Sequence, residues 1–269
     1  MNELKANPLR AAWKDGRAAI SGWCYMPSPV AAEAMAMLDW DLLTIDMQHG
    51  LVGYQDVVAM LPAIEAAGAG AMVRVPWNDP GTVMKVLDAG AIGVICPMIN
   101  NREECTRFVE ACRYAPDGYR SFGPLRVSRY YHHIGAVMAA PDGGPVTLAM
   151  IETEEGLRNI DEIAATPGLD GLYLGPSDLT LSMGQGQPGL DRTDSFVMEA
   201  HRTVLEACRR HGIRAGLNVN AAAYAARMIE LGYDLICLHS DLGLMRAAGE
   251  ALLTEVRSLA RRREAAPAA

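Results

Sequence analysis

Lysine is nearly absent from this 269-residue chain, which holds only Lys5, Lys14 and Lys85. No GxGxxG or Walker-type loop follows any strand candidate, which removes the usual nucleotide-binding classes. The six cysteines, Cys24, Cys96, Cys105, Cys112, Cys208 and Cys237, include no CxxC pair and several fall inside apolar stretches. Neither a zinc site nor a disulfide framework is expected, and the thiols are read as buried and reduced. No apolar run approaches the ~20 residues that cross a bilayer. The opening MNELKANPLRAAWKDG is charged and has no continuous apolar core, so no signal peptide is expected and the protein is placed in the cytoplasm. Positive charge is also short. The net charge of −8 leaves no basic stripe for nucleic acid or an anionic membrane, so neither is expected as a partner. The late cluster Arg261, Arg262 and Arg263 reads as the end of a last helix, where the dipole favours cations.

What the chain does have is alternation. Half of it is apolar, and short apolar segments rich in Val, Ile, Leu or Met recur at Ala18–Tyr25, Leu42–Asp46, Gly70–Val75, Gly93–Met98, Thr147–Glu152, Gly171–Gly175, Arg214–Val219 and Asp234–Ser240. Each is apolar on both faces, as a parallel sheet beneath helices requires. Helical patterns lie between them, including Tyr54–Gly68, Asn101–Tyr114, Asp194–Gly212 and Asn220–Gly232, three of which close on a glycine. Eight such units with no break in composition predict one α/β domain over 1–269, a closed (β/α)₈ TIM barrel. Residues 1–17 form a lead-in and 242–269 a long C-terminal helix and tail. Ala115–Pro145 fits poorly: it is about 30 residues without periodicity, too long for an idle connection.

In such a barrel the chemistry sits at the C-terminal ends of the strands. Asp46 there leads into Met47, Gln48, His49 and Gly50. Arg74 ends the third strand, Glu152 the fifth, and Asp178 follows the sixth in GLYLGPSD. Two carboxylates from adjacent strands suit Mg²⁺ or Mn²⁺, with water and substrate oxygens completing the shell. The alternative is that each caps the helix that follows it. His49 is the candidate general base, or else a loop histidine bonded to backbone. Arg74 in an apolar strand needs an anionic partner, either a ligand or Asp46 across the neighbouring strand. His132, His133, His201 and His211 lack comparable placement, while His239 can reach the mouth from the eighth strand. Lys5 and Lys14 precede the barrel and Lys85 falls mid-helix. No Schiff base is therefore expected inside it, and a metal would have to serve as electron sink for carbanion chemistry.

The runs LLTIDMQHG, MVRVPWNDPGTVMKVLDAGAIGVICPM, YAPDGYRSFGP, AMIETEEGLRNIDEIAATPGLDGLYLGPSDLTLSMG and AGLNV resemble, in the same order, the HpcH/HpaI family of metal-dependent (class II) pyruvate aldolases. The long run joining strands five and six is the most specific. The resemblance implies reversible cleavage of a 4-hydroxy-2-oxo acid into pyruvate and an aldehyde through enolpyruvate, with oxaloacetate decarboxylation as a side activity. It implies Glu152 and Asp178 as ligands of Mg²⁺, Mn²⁺ or Co²⁺, His49 as acid/base, and Arg74 at the keto oxygen. It further implies Gly175, Pro176 and Ser177 at the carboxylate, Trp23 and Leu217 lining the pocket, and Asp88 pairing with the histidine. Asp88 lies toward the opposite end of its own barrel, so it is expected to come from a neighbouring subunit. Arg120, Arg126 and Arg129 would likewise serve assembly or a neighbouring subunit's site, and the family's hexamers, trimers of dimers, swap their C-terminal helices. Gln48 departs from the Glu of many members and Met150 from the Gln of some. The readings set beside the aldolase are a CoA-ester lyase of the citrate-lyase branch and a non-catalytic keto-acid-binding barrel.

Overall fold

A computed structural model describes residues 6–129, 131–140 and 143–264. Lys5 and the outer ends of the 1–17 and 242–269 spans lie outside these residues. The strands are β1 (Ala19–Cys24), β2 (Leu42–Asp46), β3 (Ala71–Arg74) and β4 (Gly93–Cys96), then β5 (Val146–Ile151), β6 (Gly171–Leu174), β7 (Arg214–Val219) and β8 (Leu235–Ser240). All pairs are parallel, and β8 closes on β1. The expected (β/α)₈ barrel is what forms.

Successive side chains on a strand point to opposite faces, and the core divides accordingly. Leu43, Ile45, Val73, Val94, Cys96, Ala149 and Leu174 face outward against the helices. Leu42, Met72, Ile95, Leu148, Met150 and Tyr173 fill the barrel interior. The interior is thus packed rather than hollow, and the site must sit on its rim. Helices start and stop where the sequence says they should. Asp194 accepts from the Val197 N–H to open Ser195–His211, which closes on Gly212 at φ 66° with Arg209, Arg210 and His211 in the last turn.

Among the described residues of the poorly patterned 115–145 stretch there is one short helix, Ile134–Ala139, and the others form turns and irregular backbone at the N-terminal end of the barrel. Ion pairs rather than a periodic apolar face anchor it, which is why no periodicity announced it. Arg126 bonds both oxygens of Glu65 and the Ala89 carbonyl, and Arg120 bonds Asp88. No helix among the described residues is long and apolar enough to cross a membrane.

Candidate active site

At the C-terminal rim the inward residues turn polar. Asp46 ends β2 fully buried, and Arg74 ends β3 beside it, as the parallel register requires. Arg74 Nε donates to Asp46 Oδ1 at 2.8 Å and Nη2 to Oδ2 at 2.5 Å. Burial works against the guanidinium charge, but the bonds and charge of Asp46 outweigh it and raise the Arg74 pKa. The guanidinium also lies over the Trp23 ring, 4.9 Å from the centroid, and the Trp23 indole N–H donates to Asp46 at 3.3 Å. Asp46 thus fixes one edge of the guanidinium fork. A guanidinium has five N–H groups, so the remaining edge can meet an anionic oxygen at the mouth. Of the two partners expected for Arg74, Asp46 is in place.

The same carboxylate shapes the next loop. Asp46 Oδ1 accepts from the backbone N–H of Gln48 at 2.9 Å and of His49 at 3.3 Å. The turn leaves the His49 ring exposed, with no hydrogen-bond partner for it among the described residues. Gln48 Oε1 is buried without a donor.

Glu152 follows β5 directly and is 2% exposed. One oxygen accepts from the Met98 N–H at 2.8 Å, for which Met98 adopts φ 56°. Burial raises its pKa to about 7. The Met98 N–H opposes the rise, the negative charge of Asp178 adds to it, and Arg74 opposes it. Asp178 is exposed in the first turn of the helix Pro176–Ser182. The capping alternatives do not describe these carboxylates. Thr153, not Glu152, caps the helix after β5 through its bond from the Gly156 N–H, and the helix after β6 has no side-chain cap bond. Gly175 keeps the space over Glu152 open: a Cβ there would come within 2.7 Å of the Glu152 Oε2 and of the Met150 Cε.

Does this donor set fit a divalent cation? A carboxyl whose charge burial opposes and a second carboxylate acting on it form a hard-oxygen environment that a cation would relieve. Among the described residues no group of three or more His, Cys, Asp or Glu side chains could hold a metal. The pair would therefore need solvent or substrate oxygens to complete a shell, as Mg²⁺ sites commonly do.

The remaining expectations divide. Trp23 is in the interior layer at the mouth, and Pro176 and Ser177 follow β6. Leu217, expected to line the pocket, does not: it packs in the outer layer against the helices. The β7 alternation turns Gly216 toward the interior Tyr173, and with it Asn218. Asp88 closes the helix Pro80–Asp88, toward the N-terminal end of the barrel and away from His49, and pairs with Arg120 at 2.6 Å. His239 sits at a register shift, where Gly22 pairs with Leu238 but Trp23 pairs with Ser240. The extra residue takes φ 55° and turns its ring against Gly243 of the C-terminal helix. Tyr25 belongs to no motif, yet its phenol shares electrostatics with Asp46 and Arg74. Its signal was position alone, two residues past Trp23 at a strand end.

A closed barrel whose C-terminal rim gathers two carboxylates, a clamped arginine and an exposed histidine, with no lysine in the strand ring, defines a barrel enzyme of the lyase class. Residues 22–248 match the HpcH/HpaI aldolase/citrate lyase family, and the chain belongs to it. It is a carbon–carbon lyase of that aldolase family. A hydroxypyruvate/pyruvate aldolase of Rhizorhabdus wittichii is 40% identical over 253 residues, 94% of this chain and 100% of its own. A 5-keto-4-deoxy-D-glucarate aldolase of Citrobacter koseri is 28% identical over 251 residues, 93% of this chain and 96% of its own. The crystal structure of a family protein from Burkholderia cenocepacia superposes with a TM-score of 0.85 at 31% identity, covering 93% of this chain and 99% of that one.

Proposed function

We propose that this enzyme is a divalent-metal-dependent aldolase that reversibly cleaves a 4-hydroxy-2-oxo acid into pyruvate and an aldehyde through enolpyruvate. The observation that carries this reading is Glu152, a buried carboxyl raised to about 7 with Asp178 acting on it and Arg74 opposite. Glu152 and Asp178 would hold Mg²⁺, Mn²⁺ or Co²⁺, which when bound supplies Lewis-acid stabilisation of the keto acid. The free edge of Arg74 meets the keto oxygen, where negative charge grows as the enolate forms. His49 takes the C4 hydroxyl proton in cleavage and returns a proton in addition. Around the substrate carboxylate, Pro176 has no N–H and the Gly175 N–H is spent on the Ile151 carbonyl. The Ser177 N–H is the donor left from that trio. Trp23 forms the floor. Oxaloacetate decarboxylation would pass through the same enolate.

Assembly belongs to this reading. The C-terminal helix Asp241–Glu264 spans 24 residues and leaves Met245, Leu252, Val256 and Leu259 exposed at helical spacing. We propose that neighbouring subunits cover this face by exchanging the helix within a hexamer built as a trimer of dimers. Asp88, held by Arg120, would then reach the His49 of another subunit. The six unbridged cysteines suit a reducing compartment, and we place the enzyme in the cytoplasm.

The test is exchange of the pyruvate methyl protons in D₂O. Exchange should vanish with a chelator and return with added Mn²⁺ or Mg²⁺. Exchange that ignores the chelator would sink the metal-dependent enolate, and a wild type with no exchange would sink the aldolase.

A further inference from the structure

Just beyond β1, a second aromatic stands beside Trp23. The Tyr25 ring meets the indole edge-on, with centroids 6.4 Å apart and planes at 69°. That indole carries the Arg74 guanidinium and donates to Asp46, so the phenol joins the arginine–aspartate cluster. Tyr25 is half-buried against the interior layer.

Its backbone is held from two sides. The Tyr25 N–H donates to both oxygens of Asp241, at 3.0 and 3.1 Å, and the Met26 N–H donates to the same carboxylate at 3.0 Å. Asp241 is buried and opens the C-terminal helix. On the other side the Tyr25 carbonyl accepts from the Leu51 N–H at 3.0 Å. Gly50 passes so close that a Cβ there would lie 3.2 Å from the Tyr25 Cα. The start of the C-terminal helix and the His49 loop therefore fix the Tyr25 backbone, and the Trp23 ring packs against its phenol. A donor held in advance of the reaction costs no reorganisation when charge develops.

Among the described residues no acceptor takes the Tyr25 hydroxyl proton. Burial first, then the charge of Asp46, raises its pKa; Arg74 pulls the other way and Asp241 adds to the rise. A hydrogen bond from the Trp23 indole N–H to the phenol oxygen lowers it, leaving the hydroxyl proton itself uncommitted. The phenol keeps its proton and is a donor in search of an oxygen.

We propose that Tyr25 is a substrate-contacting residue whose hydroxyl donates a hydrogen bond to the carbonyl oxygen of the acceptor aldehyde. The proposal rests on the aldolase reading. There, Arg74 serves the keto oxygen and the Ser177 N–H the carboxylate, so the aldehyde oxygen is the one left without a fixed neutral donor. In addition, the enolate electron pair forms the new C–C bond to the aldehyde carbon. The carbonyl π pair moves onto the aldehyde oxygen, which takes its proton from His49. Tyr25 stabilises that oxygen in transit and gives up no proton. In cleavage the same bond holds the C4 hydroxyl as it becomes a carbonyl.

Tyr25→Phe keeps the ring against Trp23 and removes only the donor. Two rates are measured on one Mn²⁺-loaded preparation: methyl deuteration of pyruvate without aldehyde, and addition of pyruvate to glycolaldehyde. The ratio of addition to deuteration should fall about tenfold or more in the variant. A ratio within twofold of wild type overturns the proposal, whether both rates drop together or both hold. Absent deuteration in the wild type would mark failure of the aldolase reading instead.

Discussion

Asp46 takes five hydrogen bonds: two from Arg74, one from the Trp23 indole, and one each from the Gln48 and His49 backbone. A fully buried carboxylate is costly unless paired and bonded in this way. Here the pairing aims an arginine and shapes a histidine loop together. Arg74, Glu152 and Asp178 were legible because charge at the end of an apolar strand has few explanations. Leu217 was not. A strand apolar on both faces carries no signal of which residue points inward, and β7 turns Leu217 to the helices. His201 was passed over for want of a site nearby, and its role is internal. It is fully buried on the helix Ser195–His211, with Nδ1 2.7 Å from the Tyr233 hydroxyl and Nε2 3.0 Å from that of Tyr224. Burial, then the charge of Arg227, lowers its pKa from 6.5 to about 4. An unfolded histidine takes up a proton below about pH 6.5, but this one resists until about pH 4. Its contribution to stability is therefore whole above pH 6.5 and lost as pH falls from there to about 4. Urea unfolding should show wild type losing about 2 kcal/mol more than His201→Gln between pH 7 and pH 5. Equal losses would place the histidine elsewhere than in a dry tyrosine cage.

Among the elements, strand positions were readable to within a residue or two, because each short apolar run is bounded by polar, Gly or Pro residues. Helix ends were readable from caps, as at Asp194 and Gly212. Local irregularities were not, and they matter most at the rim. Met98 leaves ordinary backbone space to bond Glu152, and His239 bulges out of register between β8 and β1. Neither has a sequence signature, since residues without glycine's freedom are held at positive φ by their surroundings. The 115–145 connection shows in the sequence only as a gap in periodicity, because Arg120 and Arg126 tie it to acidic groups distant in sequence.

For the whole molecule, the separation of Asp88 from His49 is the informative feature. One barrel places them toward opposite ends, so any joint action requires a second copy. Mixing inactive Asp88→Ala and His49→Ala subunits should restore part of the aldol cleavage activity, since some mixed interfaces then carry both wild-type residues. Strict additivity of the two inactive proteins would confine Asp88 to its ion pair with Arg120. The charge balance fits the same picture: the chain is acidic overall, and its rim carboxylates are where a cation would be drawn.

The central claim, that Glu152 and Asp178 together hold the metal, is tested most directly by titrating Mn²⁺ into chelator-stripped protein by calorimetry. Wild type and His49→Ala should show one equivalent site per chain. Glu152→Gln and Asp178→Asn, which keep shape and remove charge, should each weaken that site by at least about tenfold. Unchanged Mn²⁺ affinity in both carboxamide variants would contradict the account.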